Sequence, residues 1–231
     1  MLEGIAATAV SNLDLPKIVL AIGSLGTAAY GFVDVSKGFW GGVSNRGYGD
    51  IKKVVSKFIS SDSKSALGLS SVLATLRANW LNGMALADQK SAAKALIKLN
   101  LTDATAKTMA DAAGVDASLL KSVAEKLASG KDLSQAETDV YGRFDLLLSA
   151  MLDQGYQRAD QRYRNSAKLL AVPVAVVLAL LGAWAISGDN LTSADAWRAC
   201  IAGLLATPLA PIAKDLSSAI QAGVKVAQTW K

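Results

Sequence analysis

The 231-residue sequence predicts an all-α integral membrane protein: three transmembrane helices and a cytoplasmic helical bundle, with one long helix running from the bundle into the membrane. Three observations predict it. Apolar runs lie near both ends, the charged middle repeats apolar residues every three or four positions, and basic residues flank the runs on one side, Lys17 and Arg198 excepted. Hydrophobic residues make up 52% and the mean hydropathy is +0.30, too apolar for most soluble chains yet below a purely embedded one.

The strongest run is 169–187, LLAVPVAVVLALLGAWAIS, which carries no charge. At 1.5 Å per residue it covers roughly 28 Å, against a hydrocarbon core of about 30 Å. Pro173 is tolerable in a membrane helix, and Trp184 suits an interfacial belt. The run 197–213, WRACIAGLLATPLAPIA, contains Pro208 and Pro211, so a kinked span and a re-entrant segment both fit. Thr192 and Asp195 mark its helix start. The run 15–33, LPKIVLAIGSLGTAAYGFV, is preceded by Glu3 and Asp14 rather than a basic stretch, and reads as an uncleaved anchor.

Charge placement orients all three. Lys37, Arg46, Lys52, Lys53 and Lys57 follow the first run; Arg158, Arg162, Arg164 and Lys168 precede the second; Lys214, Lys225 and Lys231 follow the third. The connector between the second and third carries Asp189 and Asp195. The positive-inside rule then places the N-terminus outside and the C-terminus inside, with the first and third helices crossing in the same direction. Topology and anionic lipid headgroups account for the cluster at Arg158, Arg162, Arg164 and Lys168, so no nucleic-acid partner is expected.

The middle of the chain reads as short amphipathic helices. Leu67, Val72, Leu73, Leu76 and Trp80 recur at helical spacing, and Asn82–Gly83 breaks the pattern. A helix through Ala92, Leu96, Ile97 and Leu99 follows. Asp103 and Asp116 open two more, which Gly114 and Gly130 close. Ser134 and Glu137 form a capping box ahead of a stripe through Val140, Phe144, Leu148, Leu152, Tyr156 and Tyr163. No proline interrupts before Pro173, which predicts one helix of roughly 80 Å with Gly142 and Gly155 as weak points.

The expected organisation runs as an extracytoplasmic segment 1–14, a first transmembrane helix 15–36, a glycine- and aromatic-rich interfacial turn 37–50 and a cytoplasmic bundle 51–133. The long helix 134–187, an outer connector 188–194, a proline-kinked third transmembrane helix 195–213 and a cytoplasmic C-terminal helix 214–231 complete it.

Histidine is absent and Cys200 is the only cysteine, which removes imidazole bases, disulfides and thiolate metal clusters. No enzymatic activity, cofactor or metal is expected. Two tracks of small residues, Gly23, Thr27 and Gly31 and then Ala199, Gly203 and Thr207, have the four-residue spacing of close helix packing. Aligning Gly23, Thr27 and Gly31 with Gly203, Thr207 and Pro211 reads as a parallel repeat. Asp34, Lys37, Lys214 and Asp215 fall at the predicted boundary, as ion pairs (Asp34 with Lys214) or as a charged pore mouth.

The stretches DVYGRFDLLLSAMLDQGYQRADQRYRN and ATPLAPIAKDL, and more weakly GFVDVSKGFWGGVSN, resemble stretches of bacterial inner-membrane proteins of unknown function. The resemblance implies a bacterial membrane setting and carries no activity, cofactor or functional residue. The functional expectation is a non-enzymatic scaffold that forms homo-oligomers in contact with anionic lipids. An oligomeric pore is the alternative, and a membrane-anchored enzyme using carboxylate and lysine chemistry a third.

Overall fold

A computed structural model describes residues 15–36, 42–59 and 68–229, with side chains of the last helix placed to 222. Lys37 and the segments 1–14, 37–41 and 60–67 (with Leu67) lie outside the described residues. Among the described residues the regular structure is helical throughout. The α-helices are α1 (Leu15–Val35), α2 (Ser44–Val55), α3 (Leu69–Leu81), α4 (Leu86–Leu99), α5 (Asp103–Ala113), α6 (Ala117–Ser129), α7 (Gln135–Ser187) and α8 (Ser193–Thr229). A short 3-10 turn, Gly188–Asn190, joins the last two.

Local signals set most boundaries. The Thr102 N–H donates to Thr105 Oγ1 at 2.9 Å ahead of α5. The Leu119 N–H donates to Asp116 Oδ1 at 2.9 Å ahead of α6. Gly114 and Gly130 end those helices with φ of 68° and 64°, a left-handed turn that glycine adopts without strain. The Ser134 N–H donates to Glu137 Oε2 at 2.6 Å, and α7 runs unbroken for 53 residues through Pro173.

Two parts of the expected layout differ. The turn expected over 37–50 is already helix from Ser44, because Tyr48, Ile51 and Val55 give α2 a buried stripe. The separate C-terminal helix expected from 214 is continuous with the third apolar run, α8 passing through Pro208 and Pro211 as one helix.

Two units emerge, and they bury opposite kinds of residue. The first, Gly41–Arg164, has a core of large side chains: Phe58, Leu76, Ile97, Met109, Phe144, Leu148 and Tyr156 are at most 1% exposed. Phe58 and Phe144 meet edge to face with centroids 6.4 Å apart. This is a water-style helical bundle, stabilised by burial of roughly 1.5–3 kcal/mol per large side chain.

The second unit comprises α1, the part of α7 from Asn165, and α8. Here the buried ones among the described residues are small, Val33 being the largest. Gly23, Gly26, Ala29 and Val33 are buried on α1, Ala167, Ala171 and Ala175 on α7, and Ala199, Gly203, Ala206, Thr207, Ala210 and Ala213 on α8. The large side chains point away: Leu169 is 70% exposed, Ile186 88% and Trp197 69%. Each of the three helices has a stretch long and apolar enough to cross a membrane.

The direction of α1 departs from the expectation. Stepping from Gly23 to Gly26 on α1 moves the facing atoms from Leu209 and Ala213 back to Ala206 and Ala210 on α8. The two helices are therefore antiparallel, not the parallel pair that alternating spans require. On α8 small residues recur in sevens at Ala199, Ala206 and Ala213 and at Gly203 and Ala210. Of these, Ala213, Ala210 and Ala206 meet Gly23 and Gly26 of α1 in reverse order, while Gly203 turns to α7.

Candidate functional site

The closest backbone approaches in the apolar unit define its centre. A methyl built on Gly26 falls 2.1 Å from the Ala206 carbonyl oxygen and 2.6 Å from its carbon. One on Gly23 falls 2.1 Å from Ala213 Cβ and 3.0 Å from the Leu209 oxygen. Neither position has room for a side chain. Gly203 faces α7 instead, its methyl meeting Val176 Cα at 2.5 Å and Val176 N at 2.8 Å. Small residues that bring backbones this close drive helix association where lipid removes the hydrophobic gain.

The expected packing residues divide accordingly. Gly23, Ala199, Gly203 and Thr207 are buried, whereas Thr27 is exposed and Gly31 has nothing within 4 Å of an added methyl. Gly26, Ala206, Ala210 and Ala213 were missed. Their signal in the sequence is the seven-residue recurrence of the α8 alanines, which marks a shallow left-handed crossing, beside the four-residue recurrence of the two tracks. The two aligned segments do not pack as a parallel pair, since α1 meets α8 in reverse order and Gly203 meets α7.

Antiparallel packing also separates the boundary charges. Lys214 lines a groove of about 710 Å³ with Leu20, Ala21, Ser24, Ser217 and Gln221. Asp34 lies ten residues beyond Ser24 on α1, roughly 15 Å further along the axis, so it is not brought to Lys214. Asp215 is exposed. Within one chain, therefore, Asp34 and Lys214 do not form the expected ion pair.

In the bundle, the basic cluster on α7 is partly structural. Arg162 Nε lies 3.0 Å from Asp50 Oδ2, whose side chain is 8% exposed, an ion pair without an aligned hydrogen bond. Arg164 pairs with Asp160 one turn away at 2.8 Å, while Arg158 and Lys168 are exposed. Close approach of α2 to α7 explains both the Asp50 pair and a glycine on each helix. A methyl on Gly47 would meet the Ala159 oxygen at 2.5 Å, and one on Gly155 would meet Val54 Cγ2 at 2.8 Å.

Further ion pairs tie α4 and α6 to α7. Lys94 and Lys98 clamp Asp145 at 2.6 and 3.0 Å, and Lys90 pairs with Asp153. Burial opposes the Asp145 charge, but hydrogen bonds from Lys94 and Lys98 outweigh it and hold the carboxyl below its usual range. Glu137 accepts from Lys126 Nζ, Ser122 Oγ and the Ser134 N–H, and these donors lower it to about 2. Burial pushes the Tyr48 hydroxyl up to about 12, against the pull of Arg77, while it donates to the Leu73 carbonyl at 2.5 Å. Each of these groups has a structural partner, and the pairs fasten the bundle helices to one another.

Among the described residues, no group of three or more carboxylate or thiol side chains is placed to hold a metal ion. The geometry is that of a membrane contact and a bundle. No protein-family model matches the chain, and no match is found among curated proteins or solved structures.

Proposed function

We propose that this chain is a non-enzymatic structural or scaffold protein of a bacterial inner membrane. It holds the bundle Gly41–Arg164 at the cytoplasmic face and self-associates. The observation that carries the reading is the inversion of burial between the two units. Leaving a large side chain such as Ile186 or Leu169 in water forgoes about 1.5–3 kcal/mol each, whereas lipid removes that penalty and leaves small-residue packing as the adhesive.

Charge supports the orientation. The hairpin of α7 and α8 has Arg158, Arg162, Arg164 and Lys168 before its first apolar stretch and Lys214 after its second. Asp189 and Asp195 lie at its turn. The positive-inside rule puts the basic ends in the cytoplasm and the turn outside. The resemblance of the α7 and α8 sequences to bacterial inner-membrane proteins agrees.

Self-association is supported by what α1 leaves unused. Ser24, Thr27, Ala28 and Gly31 are exposed beside the contact with α8, a small-residue face of the kind that pairs in lipid. Native mass spectrometry in mild detergent tests it. An oligomer that Gly31→Ile reduces to monomer is expected; a strictly monomeric wild-type protein would refute self-association. The pore alternative gains no support within one chain, because Asp34 on α1 and Lys214 on α8 lie at different levels along the helix axes.

A further inference from the structure

We infer that the groove between the first half of α1 and the second half of α8 binds the headgroup of an anionic glycerophospholipid, with Lys214 on its phosphate. This rests on the proposed reading that α8 returns through the bilayer, and gives the lipid a defined seat.

Depth is the first argument. After Arg198 the α8 sequence carries no charge until Lys214, so on that reading Lys214 stands at headgroup depth. The groove straddles this level, with Thr27 and Ala213 at its inner end and Ser217, Ser218 and Gln221 at its outer end. At about 710 Å³ it falls within the roughly 300–1,000 Å³ of small-molecule sites. Because Gly23 faces Ala213 and the helices are antiparallel, Lys17 also falls towards the Lys214 end.

Hydrogen-bonding capacity selects the ligand. Ser24 Oγ donates to the Ala21 carbonyl at 2.8 Å and Ser218 Oγ to the Lys214 carbonyl at 2.9 Å. Each hydroxyl has committed its one proton to its own helix and offers a guest only lone pairs. The donors that line the groove are the Lys214 ammonium, the Ser217 hydroxyl and the Gln221 amide. A phosphate accepts from these donors, most strongly from the charged one. The glycerol hydroxyls of a phosphatidylglycerol headgroup can then donate to Ser24 and Ser218. A choline headgroup has no such donor and brings a second cation towards Lys214. The groove takes the Ser24 end of the exposed small-residue face and leaves Ala28 and Gly31 to the contact between copies.

Native mass spectrometry of the full chain in neutral mild detergent tests this, with dioleoyl phosphatidylglycerol or dioleoyl phosphatidylcholine added in equal amounts. A tightly held phosphatidylglycerol on each chain is expected, with phosphatidylcholine held more weakly. A lysine at an anionic surface is worth about a fivefold preference, so Lys214→Gln should weaken the adduct by at least about that factor. Lys214→Arg should keep it, and Ser217→Leu, which fills the groove without removing charge, should lose it. Wild-type binding by both Lys214→Gln and Ser217→Leu would overturn the inference. So would loss of the adduct on replacing Arg158 and Lys168 by glutamine instead. Displacement by inorganic phosphate would make this a free-anion site, and a lower oligomeric number in Ser217→Leu with lipid binding intact would give the groove to a second copy. Release of the wild-type protein from membranes by alkaline carbonate is a separate failure, that of the membrane reading itself.

Discussion

Gly26→Ala is the substitution that bears hardest on the α1–α8 contact. The added methyl would sit 2.1 Å from the Ala206 carbonyl oxygen, against an ordinary carbon–oxygen contact of about 3.3 Å, so the helices must part by about 1 Å. Backbone cannot rotate out of the way as a side chain would. A gap of that size forfeits a quarter to a half of the dispersion energy across the seam, at ~0.1–0.2 kcal/mol per atom pair. With some tens of pairs in the contact the loss is about 2 kcal/mol, within the usual range for overpacking. Thermal unfolding in detergent is the assay, with the cross-linking yield of Ser24→Cys with Ser217→Cys as a local readout. Gly182→Ala is the control, since its methyl meets nothing within 4 Å and should leave both readouts unchanged. Equal behaviour of the two variants, or greater damage from Gly182→Ala, would refute the antiparallel seam.

Two further outcomes concern the bundle. Arg162→Ala leaves the buried Asp50 carboxylate without its cation and should cost about 2 kcal/mol in denaturant unfolding, while adding Asp50→Asn should recover part of that loss; simple additivity of the two would contradict the pairing. Glu137 has its carboxyl lowered from 4.5 to about 2, so its contribution is present above the ordinary carboxylate range and is lost as pH falls from 4.5 towards 2. Glu137→Gln should therefore be less stable than wild type at neutral pH, with the difference shrinking over that acid range. A difference that stayed constant down to the acid limit would show that the ion pair with Lys126 is not its source.

Much of the architecture is legible in the sequence because its signals are local. The long helix was bounded by a capping box at Ser134 and Glu137, and the turns at Gly114 and Gly130 by glycines that accept left-handed backbone. What was not legible depends on partners far away in the chain. Gly155 reads as a flaw in a helix until Val54 is seen packed against it. The glycine-rich stretch near Tyr48 reads as a turn until the α2 stripe finds a core to enter. The α1 contact was misplaced for a related reason. Gly23 begins a four-residue track to Thr27 and Gly31, while Gly26 and Val33 stand seven apart on a neighbouring face, and nothing on α1 alone chooses between them. The choice is made by α8, whose alanines recur in sevens. The charge pattern orients a hairpin well, yet it gives α1 a direction only on the assumption that α1 crosses.

The central claim is that the large apolar residues of α1, α7 and α8 face lipid. Alkaline carbonate extraction of membranes from cells producing the full chain tests it most directly. The protein should remain in the membrane pellet, as one held by a hairpin of two apolar helices does. Release of the whole population into the supernatant as a monodisperse soluble species would contradict it, and would require those side chains to be covered by protein instead.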